Sequence, residues 1–217
     1  LHHAGVNFAV LGTEESSTGD AAKRAGNEFL FQMQAMMNIE ILNGYEVKKI
    51  VTCDPHSFNT LKNEYSSLGG NYEVLHHTQF LQNLISEGRL KLDKTTLKGK
   101  RVTFHDPCYL GRANDVYESP RDLIKRLGVN LTEMKRNKAT ALCCGAGGAQ
   151  MFKDAEKGNK EINVLRTEDA LETKPNIIAT GCPYCKTMMT DGIKFKEKEM
   201  EVKVKDIAEL IAEANHL

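Results

Sequence analysis

Five of the six cysteines in this 217-residue chain fall into one spaced pattern: Cys108, the adjacent Cys143 and Cys144, then Cys182 and Cys185. Thirty-four residues separate Cys108 from Cys143, Gly145 follows the pair directly, and thirty-six residues lie between Gly145 and Cys182. Soft thiolate sulfur selects zinc, copper(I) or iron–sulfur clusters over hard cations. Five such donors, delivered from three separate segments, predict a bound metal centre that handles electrons. Six cysteines in a chain this long are too few for a disulfide-dense secreted scaffold, so the pattern points to metal or redox chemistry in a reducing compartment, the cytoplasm.

Charge excludes other functions. Lys plus Arg equals Asp plus Glu at 29 each, so no global field favours nucleic acid or anionic lipid. The lysine-rich stretch from Lys194 to Lys205 is interleaved with Glu197, Glu199 and Glu201 and reads as a solvated face. No apolar run approaches the ~20 residues that span a bilayer. The opening Leu1-His2-His3-Ala4-Gly5 does not resemble a charged-then-apolar secretory leader.

The chain also repeats itself. Ile50-Val51-Thr52 with Pro55 and Ser57 is matched 128 residues later by Ile178-Ala179-Thr180 with Pro183 and Cys185, and Leu81–Glu87 resembles Ile207–Glu213 at an offset of 126. Ser17-Thr18-Gly19 precedes Cys143-Cys144-Gly145 by 126. Three matches in the same order predict a duplicated unit, residues 1–92 and 93–217, with a linker over Leu92–Lys100. The counterpart of Lys100–Phe104 and Cys108 would fall before residue 1, and no initiator methionine is present. A fragment that starts inside its first unit is therefore expected.

The expected strands are Phe8–Leu11, Lys49–Thr52, Tyr72–Leu75, Arg101–Phe104, Thr140–Leu142, Asn176–Ala179 and Glu201–Val204. They alternate with helices near Ala21–Leu42, Ser57–Tyr65, Thr78–Ile85, Pro120–Leu127, Ala149–Leu171, Cys185–Phe195 and Lys205–Ala214. That rhythm predicts an α/β fold of two pseudo-symmetric units, with mainly parallel sheets flanked by helices. Cys108, Cys143 and Cys182 each follow an expected strand, which places the site at the carboxyl ends of the second unit's strands, where loops of parallel sheets collect ligands. Consecutive strand residues face opposite ways, so Cys143 and Cys144 need a turn to share a site, and Gly145 can supply the positive φ. Gly145-Ala146-Gly147-Gly148 lacks both phosphate-loop spacings.

These residues resemble the cysteine-rich CCG domain family, whose signature is a cysteine, a Cys-Cys-Gly and a Cys-x-x-Cys at this spacing; His105-Asp106-Pro107-Cys108-Tyr109-Leu110-Gly111-Arg112 also looks like the family's surroundings for its first ligand. The family includes the B and D subunits of heterodisulfide reductase, the C subunit of anaerobic glycerol-3-phosphate dehydrogenase, and iron–sulfur subunits of glycolate and lactate oxidation. The resemblance implies an iron–sulfur electron-transfer domain of an oxidoreductase complex, with one noncubane [4Fe–4S] cluster on Cys108, Cys143, Cys144, Cys182 and Cys185. It implies a flavoprotein or quinone-linked redox partner, an upstream ferredoxin-type domain, and a place in the cytoplasm or at the inner face of the membrane. Preparation in air is expected to strip the cluster or to leave zinc.

The first unit departs from the pattern, with Ser17-Thr18-Gly19 in place of Cys-Cys-Gly and Asp54-Pro55-His56-Ser57 in place of Cys-x-x-Cys. Hydroxyls replace thiolates poorly on iron, so no noncubane cluster is expected there. Two other classes compete for the intact site: a redox-silent zinc centre using four of the thiols, and a metal-free dithiol–disulfide switch at Cys182 and Cys185. Of the remaining candidates, Cys53 reads as buried apolar filling, His76 and His77 as structural, and His105 as a group that orients the Cys108 loop. His56 and Asp54 read as leftover hard ligands and Arg112 as a counter-charge, with Met33, Met36 and Met37 packed in the core.

Overall fold

A computed structural model describes residues 1–154 and 157–217. Its described strands are all parallel and form two sheets. The first pairs β1 (Lys49–Thr52) with β2 (Glu73–His76), Ile50 opposite Val74. The second has the order β4-β3-β5-β6, where β3 is Arg101–Phe104, β4 Asn130–Leu131, β5 Ile177–Thr180 and β6 Lys203–Asp206. Phe104 lies opposite Ala179 and Thr180 opposite Asp206, so β3, β5 and β6 finish side by side.

Helices follow as the βα rhythm requires. The first unit contains α1 (Asp20–Arg24), α2 (Glu28–Gly44), α3 (Pro55–Asn59) and α4 (His77–Ser86). The second contains α5 (Glu118–Arg126), α6 (Ile162–Glu172), α7 (Pro183–Phe195) and α8 (Ile207–Ala214). Alternation along β5 shows why the second sheet is covered on both faces. Ile177 and Ala179 pack with Leu123 and Ile124 of α5, Leu84 of α4 and Leu210 of α8, whereas Ile178 faces Ala170 of α6 and Met189 of α7. The first of these cores joins residues on both sides of the linker, since Leu84, Leu90 and Leu97 pack with Val102 and Phe104.

Several local features recur in the two halves of the chain. Gly19 and Gly145 both have positive φ, +86° and +95°. The Gly19 N–H donates to Ser17 Oγ at 3.2 Å, and the Gly145 N–H to Cys143 Sγ at 3.3 Å. Helices α3 and α7 each begin with proline after a side-chain cap, Asp54 and Cys182. Helices α4 and α8 each begin with a reciprocal capping box, from His76 with Gln79 and from Asp206 with Glu209.

Several expectations are corrected. Phe8–Leu11 forms no strand; it has no ladder partner, and Phe8 and Val10 are exposed. Thr140–Leu142 leaves a short 3-10 turn and runs on without a ladder, while β4, a two-residue strand too short to show a period, takes the edge beside β3. The single helix expected over Ala21–Leu42 breaks at Ala25–Asn27, where Gly26 has positive φ and Asn27 caps α2. The helix expected from Ala149 starts only at Ile162: Gly148 and Ala149 have positive φ, and the charged stretch beyond lacks an apolar stripe. Residues 155 and 156 of that expected helix lie outside the described residues. On α2 the core face is Phe31, Ala35, Ile39 and Leu42; Met33, Met36 and Met37 fall on the opposite side and are exposed rather than packed.

Candidate metal centre

The five patterned cysteines meet beyond the carboxyl ends of β3 and β5. Cys182 is the N-cap of α7, its sulfur accepting from the Cys185 N–H at 3.5 Å. Pro183 stiffens the first helical position without losing a needed donor. Cys108 lies four residues past β3, in a loop started by the His105 N–H donating to Ala179 O at 2.9 Å. Cys143 and Cys144 follow no strand. Their segment is instead tied to the Cys108 loop, because Arg112 donates to the Ala141 carbonyl and the Lys138 N–H donates to Asp106 Oδ2 at 2.8 Å.

A buried ion network holds that tie. Arg121 donates in parallel to both Asp106 oxygens, at 2.7 and 2.9 Å, and to both Glu133 oxygens, at 2.8 and 2.9 Å. Both Arg121 and Asp106 are almost fully buried.

The thiols neighbour one another in the order Cys108, Cys143, Cys144, Cys185, Cys182, and the Cys144 and Cys185 sulfurs lie within 4.8 Å of one another. Cys144, Cys182 and Cys185 are buried among Ala146, Met151, Tyr184 and Met188, whereas Cys108 and Cys143 are half-buried. Thiolate character settles on Cys143, whose pKa is held well down by hydrogen bonds from Cys108 and Cys144 and by the Gly145 N–H, against the opposing effect of burial. Its neighbours move the other way. Donation to Cys143 and burial push Cys108 up, and Cys144 rises to about 12 mainly through Cys143; Cys185 rises through Cys144, Cys182 and burial. Cys53 stands apart: it is exposed, not buried filling, and lines an apolar cavity of about 210 Å³ with Val51, His77, Phe80 and Ile211.

His105 reaches this site too. One of its ring nitrogens lies within 4.8 Å of the sulfurs of Cys144 and Cys185. Its Nδ1 accepts from Arg166 Nε at 3.0 Å, and Arg166 is itself fixed by the Arg136 carbonyl and Asp169. Burial, then the Arg166 charge, pushes the His105 pKa down to about 3, so the ring is neutral. Arg121 and Arg166 were not singled out from sequence. The available signal was a cation in line with Leu123–Ile124 on α5, and an Arg-x-x-Asp pair on α6.

In the first unit the leftover hard ligands are already engaged. Asp54 spends its oxygens on the His56 N–H at 3.1 Å, the Ser57 N–H at 3.0 Å and the Ser57 hydroxyl at 2.8 Å. His56 Nδ1 pairs with Asp20 Oδ2 at 2.8 Å, and its ring stacks on Tyr109 at 4.1 Å. His76 acts across the units: its Nε2 donates to the Gly181 carbonyl at 3.0 Å, immediately before Cys182, while Nδ1 accepts from Thr78. His77 Nε2 sits 3.0 Å from Asp206 Oδ1.

The donor set fits an iron–sulfur group. Five convergent thiols exceed the four that tetrahedral zinc takes, backbone N–H groups already point at two of the sulfurs, and the surroundings exclude water from three. Among the described residues no helix is long and apolar enough to cross a membrane.

Comparison with known proteins agrees. The family model of the CCG cysteine-rich domain matches residues 102–190, a span that contains all five patterned cysteines. The chain is 50% identical over 215 residues to "Probable iron-sulfur-binding oxidoreductase FadF" of Bacillus subtilis, covering 99% of this chain and 30% of that protein. It is 45% identical to the "EtfAB:quinone oxidoreductase" of Syntrophomonas wolfei, with the same two coverages, 99% and 30%. It is 36% identical to the D subunit of the dihydromethanophenazine:CoB–CoM heterodisulfide reductase of Methanosarcina barkeri, covering 99% of this chain and 53% of that relative. The chain thus spans about a third to a half of the length of these relatives. These relatives are iron–sulfur oxidoreductases, and residues 102–190 of the chain match the CCG cysteine-rich domain family.

Proposed function

We propose that this chain is the electron-transferring iron–sulfur domain of an oxidoreductase complex, with one noncubane [4Fe–4S] cluster held by Cys108, Cys143, Cys144, Cys182 and Cys185. The observation that carries this reading is the gathering of five cysteines from three loops as successive neighbours, with the Cys144 and Cys185 sulfurs within 4.8 Å of one another. Such a cluster, when bound, takes up and gives back single electrons. Thiolate ligands bind deprotonated, so assembly from thiols releases acid and is favoured at higher pH. The Gly145 N–H on Cys143 and the Cys185 N–H on Cys182 offset sulfur charge, and the burial of Cys144, Cys182 and Cys185 keeps water from the inner side. Cys108 and Cys143 remain half-buried and mark the side on which an electron enters or leaves.

The chain divides between residues 92 and 93 into a first CCG-type unit that has lost its thiols and a second that keeps them. The Syntrophomonas relative's name couples EtfAB to a quinone. By analogy, a flavoprotein or quinone-linked protein is the redox partner here, and an upstream ferredoxin-type domain in the intact protein relays the electron.

The test is anaerobic reconstitution with iron and sulfide, followed by iron, sulfide and zinc counts and visible spectroscopy. About four irons and four sulfides per chain, with sulfur-to-iron charge-transfer absorption, are expected. Twice that content, or a colourless protein that takes only zinc under these conditions, overturns the reading.

A further inference from the structure

His105, Cys144 and Cys185 gather a ring nitrogen and two sulfurs within 4.8 Å of one another, all buried. By residue type alone this is a three-ligand metal site. Arg166 decides otherwise. A guanidinium has only donors and stays protonated in proteins, so the Nε–H that meets His105 Nδ1 at 3.0 Å requires a lone pair on that nitrogen. A neutral imidazole with a bare Nδ1 carries its proton on Nε2. Nε2 is then a donor, and it has no lone pair to offer a metal.

Arg166 cannot easily turn away. It is fully buried, and its Nη1 donates to the Arg136 carbonyl at 2.7 Å and to Asp169 Oδ2 at 3.2 Å. Arg136 in turn grips both Asp169 oxygens, at 2.8 and 2.6 Å. His105 Nε2 is fully buried and has no hydrogen-bond partner among the described residues, sulfur included, although a ring nitrogen lies within 4.8 Å of the Cys144 and Cys185 sulfurs. A buried N–H without an acceptor is costly, so a site that retains one is built for an acceptor that arrives with the deprotonated sulfurs.

We propose that His105 is an N–H donor to the sulfurs of Cys144 and Cys185, locked in that tautomer by Arg166, and that this hydrogen bond makes the metal centre easier to reduce. A hydrogen bond to an acceptor strengthens as the acceptor gains negative charge. The reduced centre is therefore stabilised more than the oxidised one. Arg166 is the positioning residue, acting through the imidazole.

The reduction half of the proposal rests on the cluster reading; the tautomer half does not, and the tests separate them. In metal-free protein, ¹⁵N-histidine NMR is expected to show His105 with Nε2 protonated and Nδ1 bare. An Nδ1-protonated ring overturns the proposal whether or not iron binds. In the reconstituted protein, pulsed EPR of ¹⁵N-histidine samples is expected to show weak nitrogen coupling and an exchangeable proton near the centre. Strong coupling from a directly bonded nitrogen refutes it.

Two variants complete the test. His105→Gln keeps an acceptor for Arg166 and an N–H for sulfur, and should hold the midpoint potential of the native protein. His105→Leu removes both, and should make reduction about tenfold less favourable, which for a one-electron couple is about 59 mV lower. Equal potentials in the two variants overturn the hydrogen bond, and the wild-type NMR result stands as the arbiter if His105→Leu does not fold.

Discussion

Replacing Arg121 with methionine should cost more than any surface change in this chain, for a reason that can be worked from its surroundings. The guanidinium is 2% exposed and Asp106 is 3% exposed, so Arg121→Met leaves a buried carboxylate facing a thioether. Removing one partner of such a pair costs about 3–5 kcal/mol. The second arm, to Glu133, adds little, because that side chain is 37% exposed and rehydrates; an exposed pair contributes about 0–1 kcal/mol. Set against a typical stability of about 5–15 kcal/mol, this is a loss of about a fifth or more. Asp106 keeps the Lys138 N–H as a partner, so the carboxylate is not left wholly bare. Urea denaturation of metal-free protein reads the loss directly. The double variant Asp106→Asn/Arg121→Met removes both charges yet keeps an acceptor for Lys138, and should recover about 2 kcal/mol or more. Since this network ties the Cys108 loop to the Cys143 segment, Arg121→Met should also lower iron uptake. A cost below about 1 kcal/mol for Arg121→Met, or a double variant no better than the single one, refutes the reasoning.

Acid should weaken the fold through His105. The unfolded chain binds a proton near the ordinary histidine value of about 6.5, while the folded ring, pushed down to about 3 by burial, does not, so stability present above pH 6.5 is lost on acidification at about 1.4 kcal/mol per pH unit. Between pH 7 and 5 the native protein should lose about 2 kcal/mol more than His105→Gln, read by denaturation at both pH values; equal losses exclude this cause. In metal-free protein Cys143 should be alkylated first, because it is half-exposed and its pKa is lowered by Cys108, Cys144 and Gly145; peptide mass spectrometry identifies the site, and prior labelling of Cys108 contradicts the assignment. Alanine at Cys108, Cys143, Cys144, Cys182 or Cys185 should sharply reduce bound iron after anaerobic reconstitution, whereas Cys53→Ala should leave it unchanged, and iron analysis of the six variants decides.

What the sequence disclosed and what it concealed have physical explanations. Lys49–Thr52 and Arg101–Phe104 were legible as strands to the residue because they are short, β-branched and bounded by loops. The turn at Gly145 followed from the need to bring adjacent cysteines to one place, and its positive φ is what that need demands. Phe8–Leu11 looked like a strand because apolar patterning reports a wish for burial, not the presence of a partner. The methionines of α2 misled for the opposite reason: a helix apolar on every side does not reveal which stripe faces inward. Arg121 and Arg166 were hidden because sequence marks a cation as surface until a partner from another element is known to meet it. Arg121 meets Asp106 and Glu133 in the loops after β3 and β4, and Arg166 meets His105 after β3, distances that spacing alone does not encode.

On the proposed two-unit reading, the half without the thiols explains how the other half can keep its shape before a metal arrives. Ser17 Oγ receives the Gly19 N–H as Cys143 Sγ receives that of Gly145, and Asp54 caps α3 as Cys182 caps α7. Each ligand position thus also serves as an acceptor for its own loop's backbone, a task that oxygen performs as well as sulfur. Oxygen at those positions ends soft-metal binding without releasing the loops. The loops remain useful because they brace the intact site: His76 grips the carbonyl before Cys182, and His56 lies over Tyr109, next to Cys108. The same logic applies in reverse to the second unit. Its cysteine loops are held by Gly145, Cys185, Arg112 and the Asp106–Arg121 pair, none of which needs a metal. Little of the binding free energy then goes into ordering the ligands, which is the condition for a metal centre assembled on a folded protein rather than one that folds it.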